Sequence, residues 1–499
     1  MYVIQTTIAA TTLLVVGSIG RFVSADQPAP HRLSPVPIQQ VKIEDEFWSP
    51  MRKVWREVTI PDMLAKFEKT GAITNFDKVA AGTGAGKHGG KPWYDGLTYE
   101  TIRGCADFLV ASPNPELEKR IDDYICRIAA AAAKDPNGYL NTWTQLQQPN
   151  QRWGLSGGNI HRQHDIYNAG AMVEAAVHYY RATGKTELLT VATRLTNRMA
   201  DLMGPPPRRN IVPGHALPEE ALVELYRLFR EQPELKNKMP VEVDEERYLR
   251  LAEFWIENRG NDKGRKLIGF VAQDHECPLR QKTIEGHAVR ATLLCAGMVV
   301  TGEENGRQDY RDAVLRLWDS MANHRMHITG GVGVVRDYEG FAADYELPNN
   351  AYLETCAAVG ACFFHRNMNL AFADARYADE LERTLYNGAL CGVSLAGNSY
   401  TYQNPLVLHR NQTRWTWHGC PCCPPMFLKM VGAMPGYIFA KDDSGVYVNL
   451  FVGSRAKDIN LAGTKLSLHQ DTRYPWDGRV QIEVNPQQPA SFDLNLRIP

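Results

Sequence analysis

What this chain lacks narrows its function first. No sign of charge dominates, with 55 Lys and Arg against 56 Asp and Glu. It therefore has no basic field to hold nucleic acid or an anionic lipid surface. The glycine-rich stretch 328–339 lacks the strand-then-helix setting of a phosphate loop, which excludes nucleotide binding. Its ten cysteines are not spaced as the disulfide framework of a small exported domain. The opening Met1–Thr7 carries no Lys or Arg, yet the apolar run Ile8–Ile19 and the small residues Val23-Ser24-Ala25 read as a secretory signal cleaved before Asp26. That run is shorter than the roughly 20 residues of a membrane span; a short anchor and a buried N-terminal helix are the alternatives. Export to the periplasm or the extracellular space is the expectation.

A length of 499 residues predicts two or more domains, or one large toroid. After the signal at 1–25, residues 26–40 are Pro-rich and read as a linker, and 41–48 alternate as a strand. From 49 to 435 the period is helical. Three segments there resemble one another, opening at His164, His287 and Glu354. Each begins with a polar residue, continues as a helix crowded with Ala and Gly, and turns, at Thr183-Gly, at Thr301-Gly and near Arg366-Asn. A more charged amphipathic helix then follows. Small residues let inner helices pack closely, and charged partners belong outside. Such pairs, recurring at intervals of about 35–70 residues, predict an α/α toroid whose inner-helix starts converge on one mouth. His215 lies on the loop before a further helix, Leu217–Phe229. From 436 to 499 the period is two, an antiparallel β domain. Either the 41–48 strand completes its sheet or the domain continues beyond residue 499.

Two stretches carry the chemistry. His418-Gly-Cys420-Pro-Cys422-Cys423-Pro-Pro places three thiols within four positions. Its prolines disfavour a helix through 418–426 and predict a rigid loop presenting sulfur, with a last helix over 425–434. Thiolates so presented suit zinc; the alternative is a buried apolar loop whose cysteines act as small hydrophobes. Glu354-Thr-Cys356 sets a carboxylate and a thiol at a helix entrance, the one place where such near neighbours can face one ion. Glu354, Cys356, Cys422 and Cys423 would make four tetrahedral ligands. Cys105, Cys126, Cys295, Cys362 and Cys391 read as buried free thiols. A carboxyl on the neighbouring 328–346 loop is a candidate general acid. A thiolate nucleophile with a carboxyl acid/base is a retaining double-displacement pair. Because closed four-ligand zinc sites are normally structural, a non-catalytic carbohydrate-binding protein is the competing reading.

Glu339-Gly-Phe, Asp344-Tyr-Glu-Leu-Pro-Asn, Glu354-Thr-Cys356, Leu385-Tyr-Asn-Gly, Tyr402-Gln-Asn-Pro-Leu and Cys422-Cys-Pro-Pro together resemble glycoside hydrolase family 127, the β-L-arabinofuranosidases. The resemblance runs from about Phe47 to the end. It implies an (α/α)6 barrel followed by a β-sandwich, mainly α with a C-terminal β domain. It implies Cys422 as nucleophile and zinc ligand, Glu354, Cys356 and Cys423 as further ligands, and Glu339 as acid/base. His164, His215, His287 and Tyr402 match positions lining the sugar pocket. The activity implied is release of terminal β-L-arabinofuranose from plant-type oligo- or polysaccharides. The chain departs from the family at Met426, where Asn is usual, and carries an extra Cys420. The oligomeric state stays open, a homodimer being one option.

Overall fold

The structure, a computed structural model, describes residues 32–408 and 411–499. The expected signal peptide and the first part of the expected linker lie outside them. The chain forms two units, one from Val54–His365 with Glu380–Gly432, the other from Met1–Lys53, Arg366–Asp379 and Ala433–Pro499. No described helix is long and apolar enough to cross a membrane.

The larger unit is built on α1 (Tyr94–Ala111), α2 (Asp165–Thr183), α3 (Pro218–Glu231), α4 (Ala288–Asn305), α5 (Thr355–Phe372) and α6 (Cys423–Ala433). Consecutive members of α1 to α4 are neighbours. Gly360 of α5 lies against Thr292 and Leu293 of α4, and Gly104 of α1 against Leu428 of α6. Lys429 of α6 sits over the Phe363 ring of α5, which closes the six into a ring. Small residues make this closeness possible: a Cβ added at Gly170 would lie 2.6 Å from the Pro218 Cα. The ring helices are buried almost all round, whereas Pro115–Ala133, Glu187–Leu202, Glu245–Glu257 and Gln308–Ala322 bury one stripe and expose charge.

Three local expectations are corrected. Helix α4 runs through Thr301-Gly302 and ends at Gly306, whose φ of +67° favours glycine, because Gly302 is needed flush against Tyr310. Helix α5 runs through Arg366-Asn367 to Phe372. The last helix begins at Cys423, two residues before the expected Pro425, and so takes in both prolines. Pro424 and Pro425 fall in the first turn of α6, where a missing N–H leaves nothing unsatisfied.

The smaller unit holds two four-stranded sheets. One has the order β1 (Ser34–Pro35), β3 (Phe439–Lys441), β4 (Gly445–Val448), β8 (Asp493–Leu496). The other has β2 (Val41–Ile43), β5 (Ser454–Leu461), β6 (Thr464–Thr472), β7 (Val480–Pro486). Residues 32–40 are thus no plain linker: Leu33 and Val36 are buried and Ser34–Pro35 is a strand. The 41–48 strand shortens to Val41–Ile43, since Asp45 Oδ1 accepts from the Trp48 and Ser49 amides and starts a helix at Trp48. The pairing is antiparallel except for β4 with β8, which is parallel. Residues 398–405, whose sequence reads as an extended hairpin arm, make only isolated bridges, Tyr400 with Val393 and Trp415, and Gln403 with Glu354.

Candidate active site

The starts of the ring helices deliver the site. Trp93 precedes α1, His164 precedes α2, His287 caps α4, Glu354 precedes α5 and Cys422 precedes α6. Ring centroids step round the mouth: Trp93 to His164 5.1 Å, His164 to His215 6.2 Å, His215 to His287 5.9 Å. His287 Nε2 then lies 2.9 Å from Glu339 Oε2.

Glu354, Cys356, Cys422 and Cys423 offer one donor atom each within 4.8 Å of one another. Cys356 Sγ is 3.3 Å from Cys423 Sγ, which is 4.0 Å from Cys422 Sγ. Glu354 Oε1 lies 3.6 Å from Cys422 Sγ and 3.8 Å from Cys423 Sγ. Ligands about 2.0–2.3 Å from one tetrahedral ion stand roughly 3.3–3.8 Å apart, so the four fit a metal of borderline softness. Burial, then the Glu339 charge, pushes the Glu354 carboxyl up to about 8, and its Oε2 is buried without a partner. Burial and the neighbouring sulfurs push the Cys356 thiol well above its ordinary value. A cation between them would supply the missing compensation. Cys420 Sγ stands 3.6 Å from Cys422 Sγ, outside this set.

Glu339 hangs on a backbone in the left-handed region, φ +53°, and Leu353 beside Glu354 has φ +44°. Each costs about 1–2 kcal/mol and is held by bonds such as Ala288 N to Glu339 O, 3.0 Å, and Leu353 N to Gly333 O, 2.8 Å. The Glu339 carboxylate accepts from Tyr352 Oη, 2.7 Å, and Tyr402 Oη, 3.2 Å, besides pairing with His287. Burial opposes its charge, but these donors outweigh burial and hold it down at about 2. Tyr402 Oη is also 3.5 Å from Cys422 Sγ.

His164 and His215 are neutral rings. Burial, then the Arg290 charge, lowers His164 to about 3 and His215 well below the ordinary value. His164 Nδ1 donates to Arg162 O, 3.0 Å, and His215 Nδ1 to Ala216 O, 2.8 Å. The Nε2 of each is then an acceptor, suited to a hydroxyl proton.

Sequence reasoning missed three residues. Tyr352 stands two before Glu354, where strand-like spacing had no bearing on it. Arg290 lies one turn into α4 from His287 and is buried, with Nη1 3.2 Å from His161 Nδ1; that spacing was a usable signal. His418 stacks on Trp415, centroids 4.2 Å apart, and faces Tyr402 at 5.0 Å. All ten cysteines are free thiols, but Cys126 is exposed and Cys391 half-buried, so those two are not the buried thiols their helical patterns indicated.

Comparison with known proteins agrees with this geometry. The GH127 catalytic domain of β-L-arabinofuranosidases matches residues 40–436, and the GH127 middle domain matches 445–499. A non-reducing end β-L-arabinofuranosidase of Bifidobacterium longum subsp. longum is 31% identical over 487 residues, covering 89% of this chain and 70% of its own. A solved GH127 β-arabinofuranosidase has a TM-score of 0.86 at 35% identity, over 94% of this chain and 72% of that one. The GH127 β-L-arabinofuranosidase of Geobacillus stearothermophilus T6 has a TM-score of 0.84 at 31% identity, over 92% and 74%. The ring of helices, its converging mouth and these matches place the chain in glycoside hydrolase family 127, and the protein is a glycoside hydrolase.

Proposed function

We propose that the protein is an exo-acting, retaining hydrolase that releases terminal β-L-arabinofuranose from plant-type glycans, with Cys422 as nucleophile and Glu339 as acid/base. The observation that carries this is the line Cys422 Sγ–Tyr402 Oη–Glu339 Oε1, with steps of 3.5 and 3.2 Å. The tyrosine hydroxyl stands between the two groups the first step needs, a thiolate at Cys422 and, at Glu339, a carboxylic acid that takes its proton from solvent. Cys422 Sγ then bonds the anomeric carbon as the bond to the leaving oxygen breaks, and Glu339 gives that oxygen its proton. In the second step Glu339 takes a proton from water, whose oxygen bonds the anomeric carbon as the sulfur departs. Zinc held by Glu354, Cys356, Cys422 and Cys423 would keep the sulfurs as thiolates at neutral pH. His164, His215 and His287 fit the sugar hydroxyls, and Tyr402 orients both reacting groups. Export of the chain, read from residues 1–25, would bring it to such glycans.

The test is turnover of a nitrophenyl β-L-arabinofuranoside. Cys422→Ala is expected to lose activity by a thousandfold or more, on the order seen for a lost nucleophile. Glu339→Gln is expected to cripple natural disaccharides and spare substrates with good leaving groups. Full activity in both variants would overturn the assignment. Binding of an arabinoside without release of product by the wild type would favour the non-catalytic reading, to which the closed four-donor set lends support.

A further inference from the structure

Beneath the mouth lies a cluster of buried charges that the proposed chemistry does not use. Lys429 Nζ is 3.3 Å from Glu100 Oε1 and 3.1 Å from Glu174 Oε2, and Arg103 Nη1 is 2.7 Å from Glu174 Oε1. Lys429 and Glu100 are 0% exposed, Glu174 3% and Arg103 7%. Phe363 lies under both cations, with Lys429 Nζ 5.3 Å and the Arg103 guanidinium 5.6 Å from its centroid. Burying such ions costs several kcal/mol each, and well-packed apolar residues of the same volume commonly serve stability as well or better. Stability is therefore a poor account of the cluster.

Its placement offers a better one. Lys429 follows Cys422 by two helical turns, and Phe363 follows Cys356 by two turns on the same face of α5. The contact between Lys429 and Phe363 thus repeats, about 10 Å lower, the approach of Cys422 and Cys423 to Cys356. Glu100 also accepts from Tyr167 Oη at 3.1 Å. The Tyr167 ring packs under His215, centroids 4.7 Å apart, and against His164 at 5.8 Å. One cluster therefore grips both thiol-bearing helices and the tyrosine beneath the histidines.

We propose that Lys429, Glu100, Glu174, Arg103 and Phe363 form a positioning hub. It sets the spacing of α5 and α6, and with it the geometry of the sulfur ligands. Through Tyr167 it sets the height of the histidines that hold the sugar. The inference rests on the functional reading above, and deepens it.

The test pairs zinc affinity, measured by chelator competition without substrate, with steady-state kinetics. Lys429→Met with Glu100→Gln removes one cation and one anion and leaves Arg103 on Glu174. The expected result is zinc binding weakened tenfold or more, in the range of supporting-residue losses at metal sites, kcat lowered by a similar factor, and a metal-free melting temperature unchanged. Tyr167→Phe should instead raise KM about fivefold, with kcat and zinc affinity intact, because it removes only the link from Glu100 to the histidines. Zinc affinity and kcat within twofold of wild type in the double variant would overturn the hub. If that variant does not fold, Phe363→Leu, which leaves every charge of the cluster its partner, takes its place, and wild-type constants in it and in Tyr167→Phe overturn the hub. A wild type that binds zinc but leaves arabinofuranosides intact would sink the proposed activity alone. A wild type that does neither sinks both.

Discussion

Five histidines held as neutral rings, two of them buried and three half-buried, govern how single residues of this protein respond to acid. Burial lowers His88 and His161 to about 4, His164 and His365 to about 3, and His215 well below the ordinary value. A folded state that binds fewer protons than the unfolded one loses stability as pH falls, here from about 6.5 downward. Asp95 and Asp165 act oppositely. Burial raises both to about 6, so they favour folding as pH drops through that value. Between pH 7 and 5 a fully buried ring such as His164 or His365 forfeits roughly 2 kcal/mol, His88 and His161 forfeit less because water reaches them, and each aspartate returns roughly 1, so the histidines win. The melting temperature is expected to be lower at pH 5 than at pH 7. His365 lies outside the mouth, accepting from Trp318 Nε1 at 2.8 Å. His365→Gln keeps an acceptor and should shrink that pH difference; an unchanged difference would refute the account. The site's titrating residues were only partly legible. Glu354, Cys356, Cys422 and Cys423 announced themselves by type and spacing, and the structure brings the four together. Tyr352 and Lys429 did not, because their neighbours are set by long-range packing.

Among the elements, α1 and α6 cross with backbone close to backbone. A Cβ at Gly104 would meet Leu428 Cγ at 2.7 Å and the Leu428 backbone carbon at 3.1 Å, and one at Gly432 would meet the Gly104 carbonyl oxygen at 3.1 Å. Backbone cannot yield as a side chain can. Gly104→Val is expected to cost about 1–3 kcal/mol and to loosen α6, seen as a lower melting temperature and reduced turnover, with Gly104→Ala falling between. Helix type and order were readable from period and from Ala and Gly content. Helix ends were less so: Thr301-Gly302 imitates a turn but serves packing, and Pro424-Pro425 imitates a breaker but begins a helix. Strand β5 departs from the period of two, because a bulge between Ala456 and Ile459, with Asp458 at φ +56°, breaks its alternation.

For the molecule as a whole, ion binding and folding are linked. An ion that only the native donors can assemble stabilises the fold in proportion to the logarithm of its concentration over its Kd. Micromolar zinc should raise the melting temperature of the reduced protein, and a chelator should lower it. Cys422→Ser should blunt the response. A melting temperature indifferent to both additions would count against a resident metal. In the smaller unit the strand expected within 41–48 pairs with β5, whereas β1 lay in a stretch read as linker, its partner coming from the other end of the sequence.

That pairing has a consequence during synthesis. Pro35 aligns with Ala440, and Val41 with Ala456. A ribosome adding about 5–20 residues per second needs roughly 20–80 s to travel between them. Throughout that interval the earliest strands wait with open edges, so a nascent polypeptide stalled before residue 436 offers a ready template for aggregation and a natural client for a chaperone.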